Sequence, residues 1–235
     1  MNILIAGANS EIGTALGTEL QHRGHQLLSL SRSDTHPQWS QHHLKVDCTS
    51  SRAVEVITHW LQQLPSRPEY VIQCAGILHN HQHRPEKALK DVNIGWLTES
   101  ISVNLISHLQ LAQAVAPLIN RHHAMRWISV SARVASIQDN YLGGWYSYRM
   151  SKAALNMLVR NISIEWVRKS PESIAVAVHP GTTKSSLSAP FQKNIPADKL
   201  YSPELTARRL ADIAETLTPE MNGKLLNWDG QPLPY

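Results

Sequence analysis

Residues 2–13, Asn2-Ile-Leu-Ile-Ala-Gly-Ala-Asn-Ser-Glu-Ile-Gly13, join a short apolar run to a turn that begins and ends with glycine. The apolar run predicts a strand at residues 2–6. Gly7 permits a tight turn after that strand, and Gly13 lets a following helix pack closely against it. A strand, a glycine turn and a helix are typical of sites where N–H groups of the helix N-terminus bind a pyrophosphate.

The helical part of this unit is indicated by Ile12, Leu16 and Leu20, which share one face. Glu11 stands where such turns often carry a middle glycine. We therefore expect a dinucleotide to contact the turn at Gly7, Asn9, Ser10, Ile12 and Gly13.

Beyond the first unit, apolar runs and helical patterns alternate without a break in composition. This alternation predicts an α/β fold, a single domain over residues 1–235 with one doubly wound parallel sheet of about seven strands flanked by helices. Ligands of such sheets bind at the carboxyl ends of the strands. The predicted strands are 2–6, 25–30, 44–46, 70–72, 126–130, 173–178 and 223–226, and the later helices are 53–64, 98–118, 147–168 and 203–217.

The end of the second predicted strand indicates which nicotinamide cofactor is used. An acid at this position selects NAD by binding the ribose hydroxyls, whereas the chain has Ser31 followed by Arg32. A guanidinium there suits a 2′-phosphate, so NADP is favoured over NAD. Asp34 is the competing NAD determinant, and it lies beyond the strand end. Arg32 as a solvated loop residue is the other alternative.

Three further strand ends contribute candidate cofactor contacts. Asp47, beside Cys48, could meet the adenine amino group or could cap a helix. The small residues of Cys74-Ala75-Gly76 would let the backbone approach the cofactor. The loop after the sixth predicted strand brings hydroxyls and backbone to the same edge, through Pro180, Gly181, Thr182, Thr183 and Ser185. A proline-containing segment near 186–200 follows as a candidate substrate lid.

A candidate catalytic pair lies at the start of the helix predicted at 147–168. Tyr148 and Lys152 are four residues apart, so phenol and ammonium project from the same helical face. An ammonium beside a phenol favours the phenolate and lowers its pKa toward the useful range. Ser131, at the end of the preceding strand, could help to polarise a carbonyl group while a proton moves.

Bulk properties exclude several classes of function. Lys and Arg exceed Asp and Glu by 22 to 18 without a basic cluster, which argues against nucleic-acid binding. No apolar run approaches the roughly 20 residues that cross a bilayer, and no signal peptide precedes the first strand. The two cysteines match no zinc or redox spacing, so we expect a cytoplasmic protein. Among thirteen histidines, the alternating His79, His81 and His83 lack metal-site spacing, and we expect no metal.

Taken together, these motifs resemble the short-chain dehydrogenase/reductase family over nearly the whole chain. The resemblance rests on the Gly7–Gly13 turn, Asp47, Cys74-Ala75-Gly76, Asn104, the serine strand, Tyr148-x-x-x-Lys152 and Pro180-Gly181. The run 136–156 is most similar to the subgroup of C-factor-like signalling proteins and sniffer-type carbonyl reductases. The fold implied is Rossmann-like.

The resemblance also implies roles for individual residues. Tyr148 would protonate the carbonyl oxygen of a small-molecule aldehyde or ketone, and Lys152 would lower its pKa and hold the nicotinamide ribose. Ser131 would donate to the substrate oxygen, and Asn104 would position a water. The loop 180–185 would hold the nicotinamide carboxamide. A homodimer or homotetramer through the two long helices is implied as well.

A second function remains open from the sequence. In the family the active-site serine is followed by two residues and a glycine, and that register falls on Ala132. Ala132 favours a non-catalytic dinucleotide-binding or signalling protein, while the set of Asn104, Tyr148 and Lys152 favours an NADP-dependent carbonyl reductase.

Overall fold

The computed structural model describes residues 1–235 except for the side chain of Asn194. Eight strands form the main sheet, and a two-stranded parallel ladder stands apart from it. The main-sheet strands are β1 (Asn2–Ala6), β2 (Gln26–Ser31), β3 (His42–Lys45), β4 (Tyr70–Gln73), β5 (Arg126–Val130), β6 (Ile174–Val178), β9 (Leu225–Leu226) and β10 (Pro232–Leu233); the ladder pairs β7 (Thr182–Thr183) with β8 (Leu200–Tyr201).

The main sheet has the order β10-β9-β6-β5-β4-β1-β2-β3, and all neighbours are parallel except β9 and β10. The chain moves outward from β1 through β2 to β3, then returns to place β4 on the other side of β1. Such a reversal opens a crevice at the carboxyl ends of the strands, which is where α/β proteins bind their ligands. The predicted α/β architecture is confirmed.

Six α-helices cover the two faces of the sheet. One apolar core joins one face to residues of α1 and α6, and the other joins the opposite face to residues of α2, α4 and α5. The strands β1 and β6 are buried along their whole length because both faces are covered. The helices are α1 (Glu11–His22), α2 (Ala53–Gln63), α3 (Ile94–Ile101), α4 (Ser107–Val115), α5 (Tyr146–Lys169) and α6 (Pro203–Thr216).

The long helix expected at 98–118 differs from the prediction. It starts earlier, at Ile94, and one π-helical turn, Ser102–Ile106, separates α3 from α4. Asn104 lies in this turn and is fully buried. Wide turns of this kind occur mostly as single insertions in α-helices, frequently at functional sites. Hydrophobic periodicity does not report them.

The sheet has one strand more than the seven expected. The addition is β10, a two-residue antiparallel edge strand, which is too short to give a periodic signal. The β7–β8 ladder was also not predicted, for the same reason. Within the described residues, no helix is long and apolar enough to cross a membrane.

Candidate active site

The glycine turn after β1 is compact because two positions lack a side chain. Gly7 has φ +71°, and a Cβ there would lie 2.7 Å from the backbone nitrogen of Ala75. A Cβ on Gly13 would lie 2.4 Å from the carbonyl oxygen of Gly7. Both glycines are thus required by close approach of the backbone, as expected for a dinucleotide turn.

The N-terminus of α1 is arranged to accept an anion. Ser10 caps the helix: its hydroxyl donates to the Gly7 carbonyl at 2.7 Å and accepts from the Gly13 N–H at 3.0 Å. Among the described residues, none accepts a hydrogen bond from the N–H of Ile12. A free N–H at the positive end of a helix fits a pyrophosphate oxygen.

The end of β2 has the features expected of an adenosine-ribose site. Asn9 donates to the Ser31 hydroxyl at 3.2 Å, which connects the glycine turn to this strand end. Arg32 is exposed beside it. Asp34, the competing NAD determinant, forms an ion pair with Lys45 at 2.6 Å, and its side chain is 80% exposed. That carboxylate is already neutralised by a lysine.

Asp47 forms a local turn and does not cap α2, whose N-cap is Arg52. Its Oδ1 accepts from both the N–H and the hydroxyl of Thr49. Burial opposes the charged form, but these bonds and the nearby Arg32 hold the pKa of Asp47 below its usual value. The helix-cap alternative for Asp47 is therefore wrong. Cys48 is a free thiol whose pKa burial raises to about 12.

Cys74-Ala75-Gly76 follows β4, and a buried histidine forms a hydrogen bond with its backbone. His108 donates from Nε2 to the Ala75 carbonyl at 3.2 Å, while its Nδ1 faces the Ser129 hydroxyl at 3.0 Å. Because the carbonyl can only accept, the proton must be on Nε2. Burial lowers the pKa of His108 to about 3, so the ring stays neutral. Burial raises the pKa of Cys74 to about 12.

Asn104 connects the π-helical turn to the loop after β4 through hydrogen bonds. Its Oδ1 accepts from the Ile77 N–H at 2.8 Å, and its Nδ2 donates to the Ile77 carbonyl and the Ser151 hydroxyl, both at 2.9 Å. Both protons of the side-chain amide are therefore used by the protein, and its oxygen accepts one hydrogen bond. The water-positioning role of Asn104 stays a prediction.

Lys152 lies in the centre of the candidate site, with only 3% of the residue exposed. Its Nζ donates to the Val130 carbonyl at 2.8 Å. A Cβ on Gly76 would lie 3.4 Å from Nζ and 3.3 Å from Asn104 Oδ1. The strand end, the loop after β4 and the π turn thus meet at this amine. Burial lowers the pKa of Lys152 to about 7.

Tyr148 lies one helical turn before Lys152 on α5. Its hydroxyl makes no hydrogen bond to any described residue. Burial raises the pKa of Tyr148 above its ordinary value. This shift is opposite to the lowering expected from the lysine, because desolvation disfavours the charged phenolate.

Ser131 does not present its hydroxyl proton to the site in this structure. The hydroxyl is buried and donates to Asn156 Oδ1 on α5 at 2.8 Å. Ala132, in the family's serine register, is also buried and has no hydroxyl. The substrate-binding role of Ser131 therefore stays a prediction, and this geometry does not favour it.

The loop after β6 lies at the same edge. Gly181 has φ +80°, and a Cβ there would lie 2.6 Å from the Tyr201 ring, which allows β7 to pair with β8. The Thr183 hydroxyl bonds that of Thr206 at 2.8 Å, and the Ser185 hydroxyl donates to the Thr183 carbonyl at 3.3 Å. Pro180 is buried, and Thr182 begins the ladder.

The candidate lid, 186–200, contains two 3-10 segments, Ala189–Asn194 and Ala197–Lys199, and two residues outside the predicted site hold its start. The Ser186 N–H donates to Glu11 Oε1 at 2.6 Å. His79 Nε2 donates to the carbonyls of Ser186 and Leu187 at 3.2 and 3.1 Å. Glu11 therefore connects the glycine turn to the lid. Sequence reasoning gave neither residue this role.

Aromatic rings connect the candidate lid to Tyr148, the predicted catalytic tyrosine. The Phe191 ring lies 5.9 Å from the His79 ring and 5.2 Å from the Trp145 ring, and the Trp145 ring lies 6.3 Å from that of Tyr148. This aromatic chain, His79–Phe191–Trp145–Tyr148, extends from the candidate lid to the phenol. From the sequence, Tyr148 was predicted to be catalytic, His79 was considered only as a metal ligand, and Phe191 lies in the segment predicted as a lid.

The histidine-rich loop forms no metal site. Among the described residues, no group of three or more His, Cys, Asp or Glu is arranged to hold a metal ion. His79 contacts the lid, and the ring of His83 stacks on that of Trp96 at 5.1 Å. These contacts explain two of the three alternating histidines as structural residues.

Comparison with characterised proteins agrees with this geometry. The chain is 28% identical over 233 residues to the 1-hydroxy-2-glutathionyl-2-methyl-3-butene dehydrogenase of Rhodococcus sp. (strain AD45), covering 97% of this chain and 96% of that protein. It is 31% identical over 149 residues to the C-signal of Myxococcus xanthus, covering 63% of this chain and 84% of that protein.

Solved structures share the fold. The carbonyl reductase Sniffer of D. melanogaster superposes with a TM-score of 0.82 at 21% identity, covering 100% of this chain and 99% of that one. An NADPH-bound carbonyl reductase from chicken fatty liver also gives 0.82, at 22% identity, covering 100% and 98%. The family model for short chain dehydrogenases matches residues 1–196. The chain therefore belongs to the short-chain dehydrogenase family of oxidoreductases, whose members bind a nicotinamide cofactor.

Proposed function

We propose that this protein is an NADP-dependent oxidoreductase that interconverts a small aldehyde or ketone and its alcohol, with residues 1–235 acting as one dinucleotide-binding domain. The observation that carries the proposal is the position of Lys152. Its buried Nζ lies beside Gly76 and Asn104, one helical turn from a phenol with a free hydroxyl. The carbonyl reductases among the similar structures support the substrate class.

The residues present fit a dinucleotide. The free Ile12 N–H at the start of α1 suits the pyrophosphate, and the amine of Lys152 keeps two donors unused by the protein for ribose hydroxyls. The loop from Pro180 to Ser185 would contact the carboxamide of the nicotinamide. NADPH supplies the hydride when it is bound.

The chain's own groups handle the proton. Tyr148 donates from its phenol oxygen to the carbonyl oxygen of the substrate, and the Lys152 ammonium stabilises the phenolate that remains. Closure of the lid over the aromatic chain excludes water from this exchange. Burial raises the pKa of Tyr148, so the phenol is protonated at neutral pH, and the Lys152 ammonium has to offset this rise for the proton to leave.

The proposed preference for NADP rests on the end of β2. Exposed Arg32 can contact a 2′-phosphate, and pairing with Lys45 neutralises the acid that would otherwise favour NAD. Fluorescence titration with NADPH and NADH tests this directly. Arg32→Ala should weaken NADPH binding by roughly 10-fold and leave NADH binding unchanged. Equal affinities of the parent protein for the two cofactors would contradict the preference.

Replacement of the catalytic tyrosine tests the proposed activity. Tyr148→Phe keeps the ring and its packing but removes the proton donor, so turnover of a carbonyl panel should fall by roughly 1,000-fold or more. NADPH binding should stay near the parent value, which controls for folding. A mutant that turns over the panel at the parent rate would show that Tyr148 does not have this role.

The alternative is a non-catalytic dinucleotide-binding or signalling protein. Two observations favour it: the Ser131 hydroxyl donates to Asn156, and Ala132 carries no hydroxyl. The similarity to the C-signal of Myxococcus xanthus is a third. Tight NADPH binding without oxidation of NADPH by any member of a broad carbonyl panel would favour this alternative.

We further propose a cytoplasmic homo-oligomer that contacts its copy through α5. Apolar side chains at seven-residue intervals, Met150, Met157 and Ile164, are 44%, 61% and 43% exposed on this helix. Burial of such a stripe against a second copy would stabilise the helix that carries Tyr148. Met157→Glu should shift the mass measured by light scattering to that of a monomer, and an unchanged mass would exclude this interface.

A further inference from the structure

The helix that carries the catalytic pair begins from an unusual backbone segment. Gly143, Gly144 and Trp145 have φ angles of +63°, +66° and +52°, and Trp145 is the one described non-glycine residue with positive φ. Trp145 is the N-cap of α5, and its side chain offers no hydrogen bond to the helix. Residues other than glycine persist in this region only where surrounding contacts hold them. We name residues 143–145 the entry segment.

Glu86 supplies the hydrogen-bond acceptors that the side chain of Trp145 does not offer to the start of α5. Its side chain is buried, with 4% of the residue exposed. The carboxylate accepts from the Ser147 N–H at 3.3 and 3.2 Å and from the Ser147 hydroxyl. Its backbone carbonyl accepts from the Trp145 N–H at 2.6 Å. One residue from a distant loop therefore binds both the N-cap and the first turn of α5.

The fit between the two segments is close. A Cβ on Gly144 would lie 3.2 Å from the Glu86 carbonyl oxygen, so the glycine lets the entry segment approach. A carboxylate is also the favourable group at the positive end of a helix. Glu86 thus acts as an N-cap from outside the helix, in place of a Ser, Thr, Asn or Asp at position 145.

We propose that Glu86 is a positioning residue for Tyr148. Tyr148 directly follows Ser147, whose N–H and hydroxyl bind the carboxylate, and it is the third residue of α5. The first turn of a helix frays unless its N–H groups are bound, and fraying would displace the phenol relative to Lys152. This inference rests on the proposed oxidoreductase function, since positioning matters only if Tyr148 reacts.

The test compares two substitutions at the same position. Glu86→Ala removes the acceptor and should lower kcat by roughly 10- to 100-fold with KM and the NADPH dissociation constant within about 2-fold of the parent. Glu86→Gln keeps an acceptor for the Ser147 N–H and should restore kcat to within about 3-fold of the parent. A merely structural role would not separate kcat from KM in this way.

A matched control separates positioning from general loss of stability. Asn93 caps α3 by accepting from the Trp96 N–H at 2.9 Å, and it is exposed. Asn93→Ala should destabilise the protein by a similar amount through loss of a cap, with kcat unchanged. If Glu86→Ala does not fold, Ser147→Ala, which removes only the hydroxyl donor, should lower kcat less, again without a change in KM.

Amide hydrogen exchange makes the inference independent of turnover. Protection of residues 146–149 should fall in Glu86→Ala and persist in Glu86→Gln. A parent protein that reduces no carbonyl, but shows this exchange pattern, would refute the proposed function and leave the anchoring role of Glu86 in place. Unchanged protection, or parent-like kcat in folded Glu86→Ala or Ser147→Ala, would overturn the role of Glu86.

Discussion

The proposed cofactor side and the proposed substrate side of the carboxyl edge are held by different kinds of contact. On the cofactor side, Ser10 bonds Gly7 and Gly13, each three residues away. On the substrate side, the partners are far apart in sequence: Glu86 and Ser147 by 61 residues, His79 and Leu187 by 108, and Glu11 and Ser186 by 175. Local contacts shape the first region, and folding of the whole chain shapes the second.

Because of this difference, we expect that cofactor binding and turnover can be altered separately. A change at Gly13 should alter cofactor binding alone, because the atoms nearest to that position belong to the turn itself. A change on the substrate side should alter kcat or KM with cofactor binding preserved. Glu11 is the exception, since it belongs to both regions.

Among the changes that compare the two sides, the largest expected effect is on the proposed cofactor side. The Cβ of Gly13→Ala would lie 2.4 Å from the Gly7 carbonyl and 3.0 Å from the Ser10 hydroxyl, so the turn must open. We expect NADPH affinity, measured by fluorescence titration, to fall by roughly 100-fold. Gly17→Ala is the control, because it clashes with the Trp39 ring further along α1 and should lower stability alone. Equal losses of NADPH affinity in Gly13→Ala and Gly17→Ala would contradict a specific role of the glycine turn in cofactor binding.

The second effect concerns the buried amine at the junction of the two sides. The pKa of Lys152 is about 7 in the folded protein against 10.5 unfolded, so the unfolded state binds more protons between these values. The free energy of unfolding should therefore rise with pH, by about 1–2 kcal/mol between pH 7 and 8.5. The buried histidines affect the free energy of unfolding mainly below this pH range, since burial lowers the pKa values of His108 and His179 from 6.5 to about 3 and 4.

Urea denaturation of the cofactor-free protein measures this pH dependence, with Lys152→Met as the comparison. Methionine fills a similar volume without titrating, so its profile should lack the rise over the same range. The thiols of Cys48 and Cys74 begin to ionise in the unfolded state near the top of this window, since only burial raises their pKa from 9.0 to about 12, and they lower stability slightly in both proteins alike. A parent-like slope in Lys152→Met would mean that another group is responsible.

The third effect tests the aromatic chain on the substrate side. Phe191→Ala removes the ring that contacts both His79 and Trp145, so KM for apolar carbonyl substrates should rise by roughly 5-fold with NADPH affinity unchanged. Tyr141→Ala is the matched control, because that ring is 86% exposed and should be neutral. Loss of cofactor binding in Phe191→Ala would show that the lid belongs to the cofactor side.

The smallest effect concerns the residue shared by both sides. Glu11→Gln removes a negative charge beside the predicted pyrophosphate site and keeps an acceptor for the Ser186 N–H. NADPH should bind roughly 3-fold more tightly at low salt, with the gain lost at high salt. Glu19→Gln, two turns along α1 and paired with Arg23, should change nothing. Weaker binding in Glu11→Gln would mean that holding the lid outweighs repulsion.

The same division explains what could be predicted from the sequence. The strand β1, the turn at Gly7 and the helix α5 follow from patterns within a few residues, and the structure confirms them. Asn104 was named through the family resemblance, and it is buried at the junction with Lys152. The strand, the turn and the helix can be predicted from neighbouring residues, whereas Asn104 needed the family motif.

The remaining features depend on distant partners. Glu86 in the sequence is one acid in a charged loop, and only folding brings it to Ser147. Glu11 was noted as an unusual residue in the turn, but its partner lies in the lid. The hydroxyl of Ser131 donates to Asn156, and the spacing of residues in the sequence does not indicate whether it would bind Asn156 or a substrate. The direction of the pKa shift of Tyr148 likewise depends on burial.

The wide turn at Ser102–Ile106 has a consequence for chain length. A π turn holds one residue more than a regular α-helical turn, so deletion of one residue here would close it to a regular turn. Leu111 and Val115, both fully buried on α4, would then stay in the core. A homologue one residue shorter at this point can therefore keep the apolar pattern of α4, but it loses the wide turn that carries Asn104.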